Sequence, residues 1–209
     1  MKICEIFHSL QGEGPWIGLP AVFIRTGGCV EPLCPWCDTP YALTDMHETT
    51  LEDILRSVAS YPSSRVVITG GEPFIHWNKG LSELHTALRS GGYSIQYETS
   101  GKVLIPEALD ALIVCSPKFI DGAWHFEQAN LDKVQAYKFL ARRMRDMIAI
   151  DEFIAAHRID KETVFIMPLG ATRQDQIDAM EPIFSYCLSK GYRMTPRLHI
   201  LTYDTKRGV

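Results

Sequence analysis

The chain has no apolar run approaching the roughly 20 residues that a membrane-spanning helix needs; its longest runs are strand-sized. It has no excess of positive charge either. The 21 Lys and Arg stand against 25 Asp and Glu, a formal net charge of −4, so the bulk composition provides no nucleic-acid face. No internal repeat, low-complexity tract or linker interrupts it, and Glu5 breaks up the start before any apolar leader can form. These absences lead to the expectation of one cytoplasmic domain over residues 1–209, acting on neither nucleic acid nor membrane. Apolar residues make up 46% of the chain, too many for disorder and enough for a substantial core.

What is present is an alternation of short β-rich runs and helical patterns. Strands are expected at Ala21 to Thr26, Arg65 to Thr69, Tyr93 to Glu98, Leu112 to Cys115, Gln135 to Leu140 and Val164 to Pro168. Several are almost continuously apolar, as strands covered on both faces are. Leu51, Ile54, Leu55 and Val58 repeat with helical period behind Thr49 and Glu52, which are spaced as a capping box. Further helices are expected through Leu81, Leu84 and Leu88, over Ile148 to His157, and along the stripe Ile177, Met180, Phe184 and Leu188, with Gly191 as a stop. Strand-then-helix repetition implies parallel strands joined by right-handed crossovers. About six such units are too few for a complete eight-unit barrel of ~250 residues. The fold expected is α/β, an incomplete (β/α) barrel of about six parallel strands with an N-terminal extension, an open doubly wound sheet being the alternative. In both, ligands gather at the C-terminal strand ends.

Six cysteines are present, and three of them, Cys29, Cys34 and Cys37, fall within nine residues directly after the first central strand. In a reducing compartment clustered thiols point to metal or redox chemistry rather than to disulfides. Three thiolates suit a cubane iron–sulfur cluster with one iron left open. Two alternatives stand beside it: a Cys3His zinc site completed by His47, and a redox pair at Cys34-Pro35-Trp36-Cys37. Cys115 and Cys187 are expected to be buried packing residues. Arg25 ends an otherwise apolar strand, where an unpaired guanidinium is costly; it needs a carboxylate, from a ligand or from a buried protein acid.

A three-cysteine loop after one strand, followed by Thr69-Gly70-Gly71-Glu72-Pro73 after the next, resembles the radical S-adenosylmethionine superfamily. The spacing here is C-x4-C-x2-C, one residue longer than the superfamily's usual C-x3-C-x2-C. Within that superfamily, the ordered set Ser9-Leu10-Gln11-Gly12-Glu13-Gly14, Cys37-Asp38-Thr39, Glu98-Thr99-Ser100-Gly101, Ser116-Pro117-Lys118 and a terminal Lys206-Arg207-Gly208-Val209 is similar to the 7-carboxy-7-deazaguanine synthase family, from the first ten residues to the last four.

The resemblance implies conversion of 6-carboxytetrahydropterin to 7-carboxy-7-deazaguanine with loss of ammonia, on the route to 7-deazapurines such as queuosine. It implies a 4Fe-4S cluster, S-adenosylmethionine and Mg2+ as cofactors, a flavodoxin- or ferredoxin-type electron donor, and a homodimer. Carried over residue by residue, Cys29, Cys34 and Cys37 hold the cluster and Thr39 the magnesium. Leu10, Gln11, Gly12, Glu13, Arg25, Thr69, Glu98, His199 and the Val209 carboxylate surround the substrate, with the C-terminal tail closing the site. Trp36, Cys37, Asp38, Gly71, Glu72, Ser116, Pro117, Lys118, Met167, Pro168, Leu169 and Gly170 surround S-adenosylmethionine, Glu72 accepting from its ammonium; Met167 replaces a more familiar Gln. The rival readings are a small activase that makes a glycyl radical on a protein partner, which has no need of Gln11-Gly12-Glu13, Thr39 or the tail, and a zinc-stabilised interaction module.

Overall fold

The structure, a computed structural model, describes residues 1–209. In chain order it contains β1 (Lys2–Leu10), β2 (Pro20–Thr26), β3 (His47–Glu48), α1 (Leu51–Ala59), β4 (Arg65–Gly70), α2 (Leu81–Ser90), β5 (Ser94–Thr99), β6 (Leu112–Cys115), a small hairpin of β7 (Lys118–Ile120) and β8 (Ala123–His125), β9 (Ala136–Ala141), α3 (Met144–His157), β10 (Val164–Pro168), α4 (Arg173–Lys190), β11 (Arg193–Met194) and α5 (Leu198–Tyr203). Nine strands form one sheet in the order β11-β10-β9-β6-β5-β4-β2-β1-β3. The six strands from β2 to β10 in that order are parallel neighbours. The sheet does not close, since β11 and β3 are its edges. It is therefore the incomplete barrel expected from the strand count. The N-terminal extension is β1, a long strand antiparallel to β2 that sets Glu5 opposite Arg25. No helix is long and apolar enough to cross a membrane.

Side chains alternate across each strand, and here the alternation separates core from site. Val22, Ile24, Val66, Ile68, Ile95, Tyr97 and Ile113 turn to one face and pack with Ile54, Val58, Leu81, Leu84 and Leu88 of α1 and α2. Tyr137, Phe139, Val164 and Ile166 pack in the same way on α3 and α4, with Cys115 and Cys187 buried among them. The intervening positions, Arg25, Thr69, Glu98, Lys138 and Met167, face a cavity instead.

Two helix details differ from expectation. The cap of α1 is Thr50, whose Oγ1 accepts from the Asp53 N–H at 3.1 Å, one residue later than the Thr49–Glu52 spacing suggests. In α4 the stripe Ile177, Phe184 and Leu188 points outward, and Gln176, Ala179, Ile183 and Cys187 are buried. The reason is Gln176. Its amide donates to the carbonyls of Pro168 at 3.2 Å and Gly170 at 2.7 Å, so a polar side chain occupies the inward face and the apolar count selects the wrong side.

Candidate active site

A cavity of about 340 Å³ lies at the C-terminal ends of the parallel strands, where an open α/β sheet places its ligands. Arg25, Thr69, Glu98, Lys138 and Met167 form its strand-borne wall, with Ser116 just past the end of β6. Leu10, Gln11, Gly12 and Glu13 form a second wall, the cysteine loop a third, and His199 and Val209 the last.

Cys29, Cys34 and Cys37 all face this cavity, as do Trp36, Asp38 and Thr39. The Cys37 N–H bonds the Cys34 carbonyl at 3.1 Å, and Cys37 Sγ lies 3.7 Å from Thr39 Oγ1. Burial pushes the Cys29 thiol up, against the pull of a Val30 backbone hydrogen bond and the Lys102 ammonium. No three His, Cys, Asp or Glu side chains converge as ligands of a single ion do. A cubane takes each thiolate on a different iron, and all three cysteines line the one cavity. His47 sits on edge strand β3, paired with Ile3 and away from the cavity, which leaves a Cys3His site without its fourth ligand.

The Gly70-Gly71 turn is stitched to the root of the loop. The Gly71 N–H donates to Thr26 O at 3.3 Å and the Glu72 N–H to Gly28 O at 2.9 Å. A Cβ on Gly71 would run into the Gly28 carbonyl oxygen and press on Cys29 Cβ. Gly71→Ala is therefore expected to leave the sheet folded while reducing iron uptake to a small part of the wild-type content, as measured by iron and sulfide analysis after anaerobic reconstitution.

Several residues expected at S-adenosylmethionine do not line the cavity. Glu72 is fully buried and does not line the cavity. Its carboxylate accepts from Thr99 Oγ1 at 2.7 Å and from the Ser100 N–H and hydroxyl at 2.9 and 2.5 Å, so it braces the turn instead of presenting a free acceptor. Pro117, Pro168, Leu169 and Gly170 are likewise absent from the cavity lining. The Pro168 and Gly170 carbonyls are taken by Gln176, and Gly170 O also accepts from Arg197 at 3.1 Å. Gly71, Ser116, Lys118 and Met167 do reach the surface, with Lys118 Nζ donating to Ser116 Oγ at 2.8 Å.

The charged floor is a network. Arg25 Nε donates to Glu5 Oε1 at 2.7 Å, its only side-chain hydrogen bond, so a protein acid satisfies one edge of the guanidinium and the terminal nitrogens remain for a ligand. Lys138 is buried and bridges Glu13, at 2.7 Å, and Glu98. Arg197 joins Glu13, at 2.8 Å, to Asp38 of the cysteine loop. Gln11 donates to Glu98 at 3.0 Å and accepts from the Glu13 N–H at 3.2 Å. Burial alone raises the Glu13 carboxyl, but Lys138, Arg197 and His199 hold it well below the usual carboxylate range. Burial wins at Glu98, whose carboxyl is raised. The same burial opposes the Lys138 ammonium, and its two carboxylates more than offset that. Neither Lys138 nor Arg197 was singled out by sequence. Lys138 carries the same signal as Arg25, a lone cation in the apolar strand Tyr137-Lys138-Phe139-Leu140; Arg197 carries none.

His199 closes over Gly12, where any Cβ would strike its ring. Burial pushes its pKa down from 6.5 to about 4, so it is neutral at pH 7. The unfolded chain protonates this His below its ordinary value while the folded one does not. Folding stability is thus expected to be undiminished by this group above about pH 6.5 and to fall as the pH drops toward 4. Urea unfolding of wild type and His199→Gln across this range checks it; the variant should lose that part of the pH dependence.

Comparison with known proteins agrees with this geometry. A model of the radical SAM superfamily matches residues 23–122, which include the cysteine loop and the Gly70-Gly71 turn. Native anSMEcpe with bound AdoMet and Cp18Cys peptide shares the fold, with a TM-score of 0.52 at 14% identity over 83% of this chain and 61% of that one. The chain is a radical S-adenosylmethionine enzyme. The 7-carboxy-7-deazaguanine synthase of Pyrobaculum aerophilum is 36% identical over all of this chain and 97% of its own, and that of Escherichia coli K12 is 31% identical over 94% and 96%. The crystal structure of QueE from Escherichia coli superposes with a TM-score of 0.80 at 30% identity, covering 95% of this chain and 94% of that one. The chain belongs to the 7-carboxy-7-deazaguanine synthase family.

Proposed function

We propose that the protein converts 6-carboxytetrahydropterin to 7-carboxy-7-deazaguanine and ammonia, a step toward 7-deazapurines such as queuosine, in the cytoplasm. The observation that carries this reading is the gathering of a three-cysteine loop, a half-free guanidinium, a largely buried acid pair and Val209 around one cavity. A 4Fe-4S cluster on Cys29, Cys34 and Cys37, with S-adenosylmethionine, supplies the radical chemistry by which hydrogen is taken from and returned to the substrate. The chain's own groups bind and orient. The terminal nitrogens of Arg25 take the substrate carboxylate in a bidentate pair. Glu98 and Glu13, held by Lys138, offer acceptors to the amino-pyrimidine edge together with Gln11 and the Gly12 backbone. Thr69 and neutral His199 complete the substrate's surroundings. Thr39 offers a hard oxygen to Mg2+. Trp36, Asp38, Gly71, Ser116, Lys118 and Met167 surround S-adenosylmethionine, and the Val209 carboxylate covers the substrate, excluding water.

The electron donor in this reading is a flavodoxin or ferredoxin, and the enzyme works as a homodimer. The outward stripe of Ile177, Phe184 and Leu188 on α4 supports the pairing as an apolar surface of the kind that interfaces cover. The test is an anaerobic assay of iron- and sulfide-reconstituted protein with S-adenosylmethionine, Mg2+, a strong reductant and 6-carboxytetrahydropterin, read by mass spectrometry. A product lighter by ammonia, with S-adenosylmethionine largely unconsumed, is expected. Release of 5′-deoxyadenosine without that product would overturn the assignment of substrate.

A further inference from the structure

The loop between Cys29 and Cys34 holds four residues, Val30, Glu31, Pro32 and Leu33, and its fold is built around a side chain from elsewhere. Lys102 follows β5, and its Nζ donates to the carbonyls of both Val30, at 3.1 Å, and Pro32, at 2.6 Å. Within the span, Glu31 supplies the other polar anchor, its carboxylate accepting from the Leu33 N–H at 2.9 Å. The base of Lys102 is itself fixed. Its N–H reaches Ser100 Oγ at 3.4 Å, Ser100 is bound to buried Glu72, and the Glu72 N–H returns to Gly28 O beside Cys29. Asn130 holds the carbonyls of Gly101 and Val103 on either side at 3.0 and 2.9 Å. The result is a closed circuit from the root of the cysteine loop, through the Gly-Gly-Glu turn, to the middle of the loop.

We infer that Lys102 is a positioning residue for the iron–sulfur cluster: its ammonium gathers the lengthened span between Cys29 and Cys34 so that both thiols face the cavity, and it leaves a fixed positive charge beside the cluster. The inference rests on the cluster reading above. Two consequences are separable. Loss of the two charge-assisted bonds loosens the loop and speeds cluster loss. Loss of the charge makes the cluster harder to reduce, because reduction adds negative charge that a nearby cation stabilises.

The experiment compares wild type, Lys102→Met, Lys102→Gln and Lys102→Arg after anaerobic loading with iron and sulfide, following iron release to a chelator and the midpoint potential of the cluster. Lys102→Met is expected to release iron about tenfold faster than wild type, as suits the loss of hydrogen bonds to a charged donor, and to be reduced at a more negative potential. Lys102→Gln, which keeps a donor but no charge, should share the shift in potential and release iron more slowly than Lys102→Met. Lys102→Arg should restore both readouts. A Lys102→Met protein that matches wild type in release rate and potential overturns the inference. Wild-type protein that takes up no iron overturns the cluster reading on which it rests.

Discussion

Removing Lys206 to Val209 is expected to lower turnover by about a hundredfold or more, as the loss of a charged hydrogen-bonding group from the substrate's surroundings does, while iron content and midpoint potential stay at wild-type values. Residues 206–209 are tied down. Val209 lines the cavity. Two residues before it, Arg207 bonds Asp45 at 2.7 Å, lies 3.5 Å from Glu5, and sits over the Tyr41 ring at 3.6 Å from its centroid. Glu5 is also the partner of Arg25, and Tyr41 donates to Glu5 at 3.2 Å. The tail is thus fastened to the same acid that orients the guanidinium proposed for the substrate carboxylate. A C-terminal extension, which moves the carboxylate without deleting contacts, should act like the truncation. Arg207→Ala, which leaves the carboxylate on the chain but undocks it, should raise KM more than it lowers kcat. Full activity in a C-terminally tagged enzyme would rule out a role for the Val209 carboxylate.

The parts of this architecture that sequence made legible are those where one physical requirement dominates. A central strand must bury at least one face, which makes several of the six almost continuously apolar, and all six expected strands lie within a residue or two of the observed ends. Three free cysteines within nine residues have few uses other than metal or redox chemistry, and all three face the cavity. Arg25 was legible because a cation in an apolar strand demands a partner. The structure then divides the demand between Glu5 and open space, which a single strand's sequence cannot do, since Glu5 arrives from antiparallel β1. Where two requirements compete, the sequence misleads. Gln176 is polar but faces inward because strand-end carbonyls need a donor, and this moved the apolar face of α4. Glu72 looked like a ligand acceptor from its place in the turn, yet Thr99 and Ser100, some thirty residues on, claim its oxygens. Arg197 gives no signal at all: its role comes from a chain crossing that brings it to Glu13 and Asp38.

Lys138→Met is the substitution from which the largest loss of stability is expected. The Lys138 side chain is 6% exposed, and its ammonium is shared by Glu13 and Glu98, whose side chains are 15% and 13% exposed. Methionine fills the space but leaves two acids that burial already disfavours in their charged form. Breaking a buried pair by removing one partner destabilises by about 3–5 kcal/mol, and for a chain of this size that lowers Tm by roughly 6–20 °C. Turnover should fall as well, since both acids are proposed to meet the substrate. The pH dependence distinguishes this cause from a packing defect. Burial raises the Glu98 carboxyl even with Lys138 in place, and without the lysine it must rise further. A group whose folded pKa lies above its unfolded one contributes stability below the unfolded value and loses it as the pH rises through the folded one. The deficit of Lys138→Met against wild type is therefore expected to be greatest near pH 7 and to shrink as the pH is lowered toward the ordinary glutamate range, where Glu98 is neutral. Adding Glu98→Gln to Lys138→Met should recover part of the loss at pH 7 and remove most of that pH dependence. A deficit that stays constant between pH 5 and 7.5 in chemical unfolding would mean that Lys138 matters for its shape and not for its charge.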